Sequence, residues 1–321
     1  MKKKWGLFTV SIFFLYFLYW YLFGPVGGTK ASVFVVPKNQ VGFDVVQKLE
    51  EGKLIKNKAV FELFRNFFLL HISIESGGYE LNDGMWAWDV LQKINGKPDL
   101  IWVSFAGCLR KEQIGEILSQ SLGWSSKELV KWNTQYTDTK PEYFEGVYYP
   151  DTYLIPVRET GDKIAQRFIN RFNEQFAPFA DKYVAANIRW VTGLKIASLI
   201  AREAAGKQDM HLISGIIWNR LNVGMPLQID ATMQYTLGKN SEDKWWGSIN
   251  IDEKKNDSLY NSYMYKGLPP TPICSPNIDY IEAALNPDET DCIFYLHDKN
   301  QQIHCAKTYE DHLDNIDTYL N

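Results

Sequence analysis

Residues 196–205 read Ile196-Ala-Ser-Leu-Ile-Ala-Arg-Glu-Ala-Ala205. Ile196, Leu199, Ile200 and Glu203 fall at i, i+3, i+4 and i+7, the spacing of one face of an α-helix, so a carboxylate occupies an apolar stripe. Such a group lies at the rim of a cleft or is partly desolvated. Desolvation disfavours the ionised form and suits a general acid working near neutral pH. Glycosidases use this device to protonate a leaving oxygen. A rim carboxylate paired with a basic neighbour gives the same pattern, so the spacing alone makes Glu203 a candidate acid and no more.

Outward from this helix, predicted over 188–205, a further helix is expected over 162–176. Another is expected over 209–222, with Asp209 as its N-cap and Gly224 just beyond its end. Asn219 and Arg220 lie near its C-terminus. The following Met225-Pro-Leu-Gln-Ile-Asp-Ala-Thr232 carries Gln228, Asp230 and Thr232 at every second position. In an extended segment that alternation turns all three toward one space, although a capping turn uses the same residues. Tyr260-Asn-Ser-Tyr263 then runs into Gly267-Leu-Pro-Pro270 and Pro272. Proline stiffens that loop and holds Asn261 and Tyr263 still, or else it is an ordinary surface turn.

Upstream, helices are predicted over 111–122 and 128–132, and the pattern breaks over 146–155. Residues 33–36, 78–81 and 100–104 read as strands, and 41–51, 59–70 and 88–94 as helices, a compact α+β module. Residues 24–32 are a glycine-loosened linker. Residues 5–23 carry no charge and follow three lysines. At helical rise they span about 28 Å, enough for a bilayer core. Tyr16, Tyr19, Trp20 and Tyr21 sit at the far end, where rings favour the headgroup layer. The expectation is a membrane anchor with its N-terminus in the cytoplasm and the rest of the chain outside. A cleaved signal peptide fits less well, because no small-x-small site follows.

Bulk properties narrow the function. Net charge is −4 and no basic run occurs, which argues against a nucleic-acid partner. The chain holds 11 Trp, 18 Tyr and 18 Phe; core and surface packing accounts for most such rings, which can also stack on sugar faces, so composition alone does not specify a carbohydrate. His71, His211, His297, His304 and His312 lack metal-ligand spacing, and neither a G-x-S-x-G elbow nor a phosphate-cradling loop is present. No metal and no cofactor is expected. Cys108, Cys274, Cys292 and Cys305 are too few for a disulfide scaffold; Cys292 and Cys305 flank a predicted hairpin and either pair or stay free.

Ala197-Ser-Leu-Ile-Ala-Arg-Glu203, Asn219-Arg-Leu221, Met225 to Thr232, Tyr260-Asn-Ser-Tyr263, Gly267-Leu-Pro-Pro270, Pro272-Ile-Cys-Ser-Pro276 and Ala283-Ala-Leu-Asn-Pro287, in this order and spacing, resemble the endolytic murein transglycosylases, the YceG-like family. Gly78-Tyr-Glu-Leu-Asn-Asp-Gly-Met85 and Glu145-Gly-Val-Tyr-Tyr-Pro-Asp-Thr-Tyr153 look like the family too. The resemblance implies an α+β chain with a cytoplasmic tip and transmembrane anchor at 1–23 in the cell (inner) membrane and a linker at 24–32. A LysM-like module at 33–104 and a mixed α/β catalytic domain with a helix-borne Glu at 105–321 would follow, both extracytoplasmic.

It further implies non-hydrolytic cleavage between N-acetylmuramic acid and N-acetylglucosamine, leaving 1,6-anhydro ends and ending nascent strands. Peptidoglycan is the implied substrate and peptidoglycan synthases the implied partners. The family's acid falls on Glu203, and the resemblance assigns Asn219, Gln228, Asp230, Thr232, Asn261 and Tyr263 to holding substrate and tuning that acid. A hydrolytic muramidase using Glu203 with Asp230, and a non-catalytic peptidoglycan-binding scaffold, are the alternatives. The chain departs from the family at Ala201, where many members carry a first Glu, and at Phe105-Ala-Gly107, where members often carry Glu-Gly. It departs again at Ile303-His-Cys-Ala-Lys-Thr308, where members read His-x-Phe-Ala-Lys-Thr.

Overall fold

The computed structural model describes residues 2–67 and 73–320, with side chains at 10–63, 65–67 and 73–320. They form two compact units, 1–103 with 152–159, and 104–151 with 160–321.

The first unit begins with α1 (Lys2–Phe23) and continues through β1 (Ala31–Val36), α2 (Val45–Glu51), α3 (Lys58–Phe67), β2 (Gly77–Asn82), α4 (Ala87–Ile94) and β3 (Leu100–Ser104). The end of the helix expected over 59–70, and His71, lie outside the described residues. β1 and β2 pair antiparallel from Ala31↔Asn82 to Val36↔Gly77, and β2 meets β3 antiparallel at Gly78↔Leu100. β4 (Thr152–Pro156), from the stretch where the sequence showed only a break, completes the order β1-β2-β3-β4. A strand from well beyond residue 104 thus belongs to the sheet expected within 33–104. Period-two alternation buries Phe34 and Val36 while Val33 and Val35 stay exposed. Leu49, Tyr79, Leu81, Val90 and Ile94 close the core beneath them. Each such side chain contributes about 1.5–3 kcal/mol by leaving water. Asp44 caps α2 by accepting from the Gln47 N–H at 3.0 Å. No single helix among the described residues is long and apolar enough to cross a membrane; the apolar part of α1 with described side chains is Val10–Phe23.

The second unit holds α5 (Lys111–Leu122), α6 (Ser126–Lys131), α7 (Gly161–Ala185), α8 (Trp190–Glu203), α9 (Met210–Asn222), α10 (Asp230–Leu237) and α11 (Ile278–Leu285), then the hairpin β5 (Phe294–His297) and β6 (Ile303–Ala306), and α12 (Tyr309–Tyr319). The mixed α+β class agrees with the sequence. α7 runs nine residues past its expected end at 176, through Pro178, because Tyr183 anchors its last turns: the ring is buried and its hydroxyl donates to the Ile281 carbonyl at 2.6 Å. α8 passes so close to that ring that a Cβ at Gly193 would lie 2.1 Å from it. From Ile196 to Ile200 every residue of α8 is buried, so this stretch is buried all round and shows no single stripe.

The segment around Ile273 is fastened to α8, its N–H donating to Ser198 Oγ at 3.1 Å. Cys108 and Cys274 form a disulfide, a pairing with no signal in the spacing of the cysteines, and Cys292 pairs with Cys305.

Candidate active site

α8 stops at Glu203, two residues short of its expected end, because Ala204 turns extended and the next two backbone N–H groups are taken elsewhere. Asp209 does not cap α9 with its side chain; its carboxylate instead accepts from Ala205 N at 2.9 Å and Gly206 N at 3.1 Å. Glu203 is left at the helix end facing an open pocket of about 320 Å³, lined also by Arg220, Gln228, Tyr263, Phe294, Tyr295, Tyr309 and His312.

Tyr295, on β5, donates its hydroxyl to Glu203 Oε2 at 2.6 Å. Burial pushes the Glu203 carboxyl above the ordinary carboxylate range, and the Asp230 charge adds to this. The Tyr295 hydroxyl bond, Arg220 and His297 pull it down without cancelling the rise. Arg220 is buried and spans the pocket floor, its Nε donating to the Ile293 carbonyl at 2.6 Å and its Nη1 to the Leu227 carbonyl. One guanidinium thereby joins the segment before α10 to the hairpin. A second buried acid, Glu145, is pushed up to about 8 by burial and by Glu112, but it does not line the pocket. Its oxygens accept from the N–H groups of Lys111 and Gly146 and from the Tyr235 hydroxyl.

The other predicted site residues divide. Gln228 and Tyr263 share the pocket with Glu203. Gln228 holds a left-handed φ of 52°, fastened where its N–H donates to the Ser262 carbonyl at 3.0 Å. Strain of this kind, of order 1–3 kcal/mol, persists only where the surroundings impose it. The Tyr263 hydroxyl donates to Asp230 and accepts from Lys254 Nζ at 2.8 Å, and Lys254 lies 3.2 Å from the Asp230 carboxylate. Asp230 acts on Glu203 through its charge.

The expected alternation does not survive. α10 starts at Asp230, so Thr232 sits on a helix, buried, bonded to Ile229 O at 2.8 Å and Ser262 Oγ at 2.9 Å. Asn261 is buried and its amide donates to the carbonyls of Lys254 and Asn256, tying its loop together. Asn219 donates to the carbonyls of Thr290 and Cys292 and lines a separate cavity of about 790 Å³, away from the pocket that holds Glu203. All three were expected to face substrate; each instead satisfies backbone. Tyr295, Arg220, Tyr309 and His312 were not foreseen as site residues. Tyr295 carried no local signal, standing 92 residues beyond Glu203.

The profile of the YceG-like family matches residues 34–318. The chain is 24% identical over 319 residues to the endolytic murein transglycosylase of Streptococcus pneumoniae serotype 2, covering 89% of this chain and 58% of that protein. It is 25% identical over 308 residues to the endolytic murein transglycosylase of Bacillus subtilis strain 168, covering 89% and 84%. The chain therefore spans less than two thirds of the streptococcal relative and most of the Bacillus one. The crystal structure of a YceG-like protein from Listeria monocytogenes shares the fold, with a TM-score of 0.62 at 23% identity over 88% of this chain and 98% of that one.

Proposed function

This chain belongs to the YceG-like family, and we propose on that footing that it is an endolytic lytic transglycosylase of peptidoglycan with Glu203 as its proton-transfer residue. The observation that carries this is the partly buried Glu203 carboxyl, held by Tyr295 in an open pocket and raised in proton affinity. Glu203 protonates the glycosidic oxygen as the bond from the N-acetylmuramic anomeric carbon breaks. The carboxylate so formed then takes the proton of the same sugar's C6 hydroxyl as that oxygen closes on the anomeric carbon. The products are a 1,6-anhydro end and a free hydroxyl on the departing sugar, with the proton returned to Glu203. Intramolecular attack needs proximity and no ordered water. Gln228, Asp230 and Tyr263 hold the sugar; Asn219, Thr232 and Asn261 serve the reaction through the loops they brace.

The reading extends to the rest of the chain. Residues 1–23 anchor it in the cell membrane, supported by the lysines at its start and by the exposure of Phe13, Phe14, Leu15 and Phe17 on α1. Residues 24–32 are the linker and 33–104 the LysM-like glycan-binding module, outside the cytoplasm with the catalytic portion at 105–321. Two disulfides suit that oxidising side. Endolytic cuts near the membrane end nascent strands, beside the synthases that make them. The muramidase alternative is disfavoured because Asp230, its required second carboxylate, is engaged by Tyr263 and Lys254.

Uncrosslinked glycan incubated with the full chain should yield fragments lighter by one water than hydrolytic ones, read by mass spectrometry. Reducing ends in their place support the muramidase, and intact strands the scaffold.

The pH profile supplies a second test. A general acid must be protonated, so cleavage declines as pH rises through the raised Glu203 pKa. Tyr295→Phe removes a donor that favours the ionised form and moves this alkaline limb up. Asp230→Asn removes a charge that favours the protonated form and moves it down. Limbs that shift together, or stay put, contradict the assignment.

A further inference from the structure

The groups that hold Glu203 in place come from one face of one strand. Tyr295 and His297 stand two apart on β5, so both side chains leave the hairpin on the same side. Tyr295 holds Glu203 Oε2. His297 Nε2 lies 2.7 Å from Asp209 Oδ2. Asp209 is 1% exposed, and the same carboxylate accepts from the N–H groups of Ala205 and Gly206. It therefore knots the chain just as it leaves α8, and His297 ties the knot to the hairpin. The acid's side chain and the backbone directly behind it are thus fixed to neighbouring points of β5.

The hairpin register adds an independent observation. His297 pairs directly with Ile303, and Leu296 with His304. His304 lies on the opposite face, 3.2 Å from Asp298 and stacked 3.5 Å from the Tyr319 ring. Directly paired residues carry their Cβ atoms about 4.5–5.5 Å apart on one face, so imidazoles at 297 and 303 reach for the same ground. The groups facing Glu203 and this tie are Tyr295 on β5, Arg202 on α8, Asp209 just before α9, Arg220 on α9, and Asp230 on α10.

We propose that His297 is a positioning residue that, through Asp209, fixes the turn behind Glu203. The proposal rests on the transglycosylase reading and deepens it.

The test uses the full chain and uncrosslinked glycan strands. His297→Ala should lower kcat by roughly 10- to 100-fold, the cost of misplacing a reacting group by about an ångström, with KM within about twofold. His297→Gln sets an amide N–H near the place of Nε2, keeps the bond to Asp209 and guards against a variant that merely misfolds; it should retain kcat within about threefold. The double variant His297→Ile with Ile303→His should recover at least about tenfold of the loss. A purely structural role would lower the melting temperature and the active fraction without rescue from the other strand. His297→Ala with undiminished kcat, His297→Gln as slow as His297→Ala, or a double variant without recovery each overturns the proposal. Absence of cleavage by the unaltered chain sinks the transglycosylase reading and this proposal with it, whereas the variant outcomes strike this proposal alone.

Discussion

Glu203→Gln is expected to reduce glycan cleavage by roughly a hundred- to ten-thousandfold while sacculus binding is retained. The amide matches the carboxyl in shape and still accepts from the Tyr295 hydroxyl, which now bonds Oε2 at 2.6 Å. What it lacks is a transferable proton. Stability should report the same group independently of activity. Burial first, and Asp230 next, raise the folded-state pKa of Glu203 above the ordinary 4.5. A raised carboxyl stabilises the fold fully below its unfolded pKa and loses that contribution as pH climbs through the folded one. The glutamine variant has no such loss, so its melting temperature should gain on the parent's as pH rises from about 4.5. A gap that stays constant across that window would show a carboxyl no different from one in water, and a variant that still cuts glycan removes Glu203 from the chemistry.

The sequence exposed this carboxylate because its signal is local: Ile196, Leu199, Ile200 and Glu203 share one helix and need no partner to be read. Thr232, Asn261 and Asn219, expected to face substrate, bond backbone carbonyls for a common physical reason. Loops that surround a site contain buried backbone groups, and these must find hydrogen bonds. A polar side chain in a loop can serve the ligand or the backbone, and spacing does not distinguish the two. Thr232 adds a register error: the extended stretch ends at Ile229, and the helix beginning at Asp230 swings the third residue of the alternation inward. Tyr295 and His297 were illegible for another reason. Their meaning depends on which strand face meets α8, and the five-residue turn between β5 and β6 carries no record of that. Fold class was readable from periodicity; the return of residues 152–156 to the first sheet was not, since a lone short strand names no partner.

The Cys108–Cys274 bond was invisible in the same way, and removing it should produce the largest loss of stability of any pair of substitutions considered. It closes a loop across 166 residues, against 13 for Cys292–Cys305. The entropy withheld from the unfolded chain grows with the logarithm of loop length, giving about 5 kcal/mol for the long loop and about 3 kcal/mol for the short one as upper figures. Location reinforces the difference. Leu109 and Ser275 form a bridge beside the long-range bond, and Ile273 is hydrogen-bonded to Ser198 on α8, five residues before the helix ends at Glu203 at the pocket. Loosening this joint therefore reaches the acid's own helix. Cys108→Ala with Cys274→Ala should lower the urea midpoint more than Cys292→Ala with Cys305→Ala, and reductant should bring the parent down to the level of the four-alanine variant. An equal or reversed order of the two double variants would mean that the long-range bond does not brace the second unit, and that the packing of α8 against α11 and α9 holds the acid in place without it.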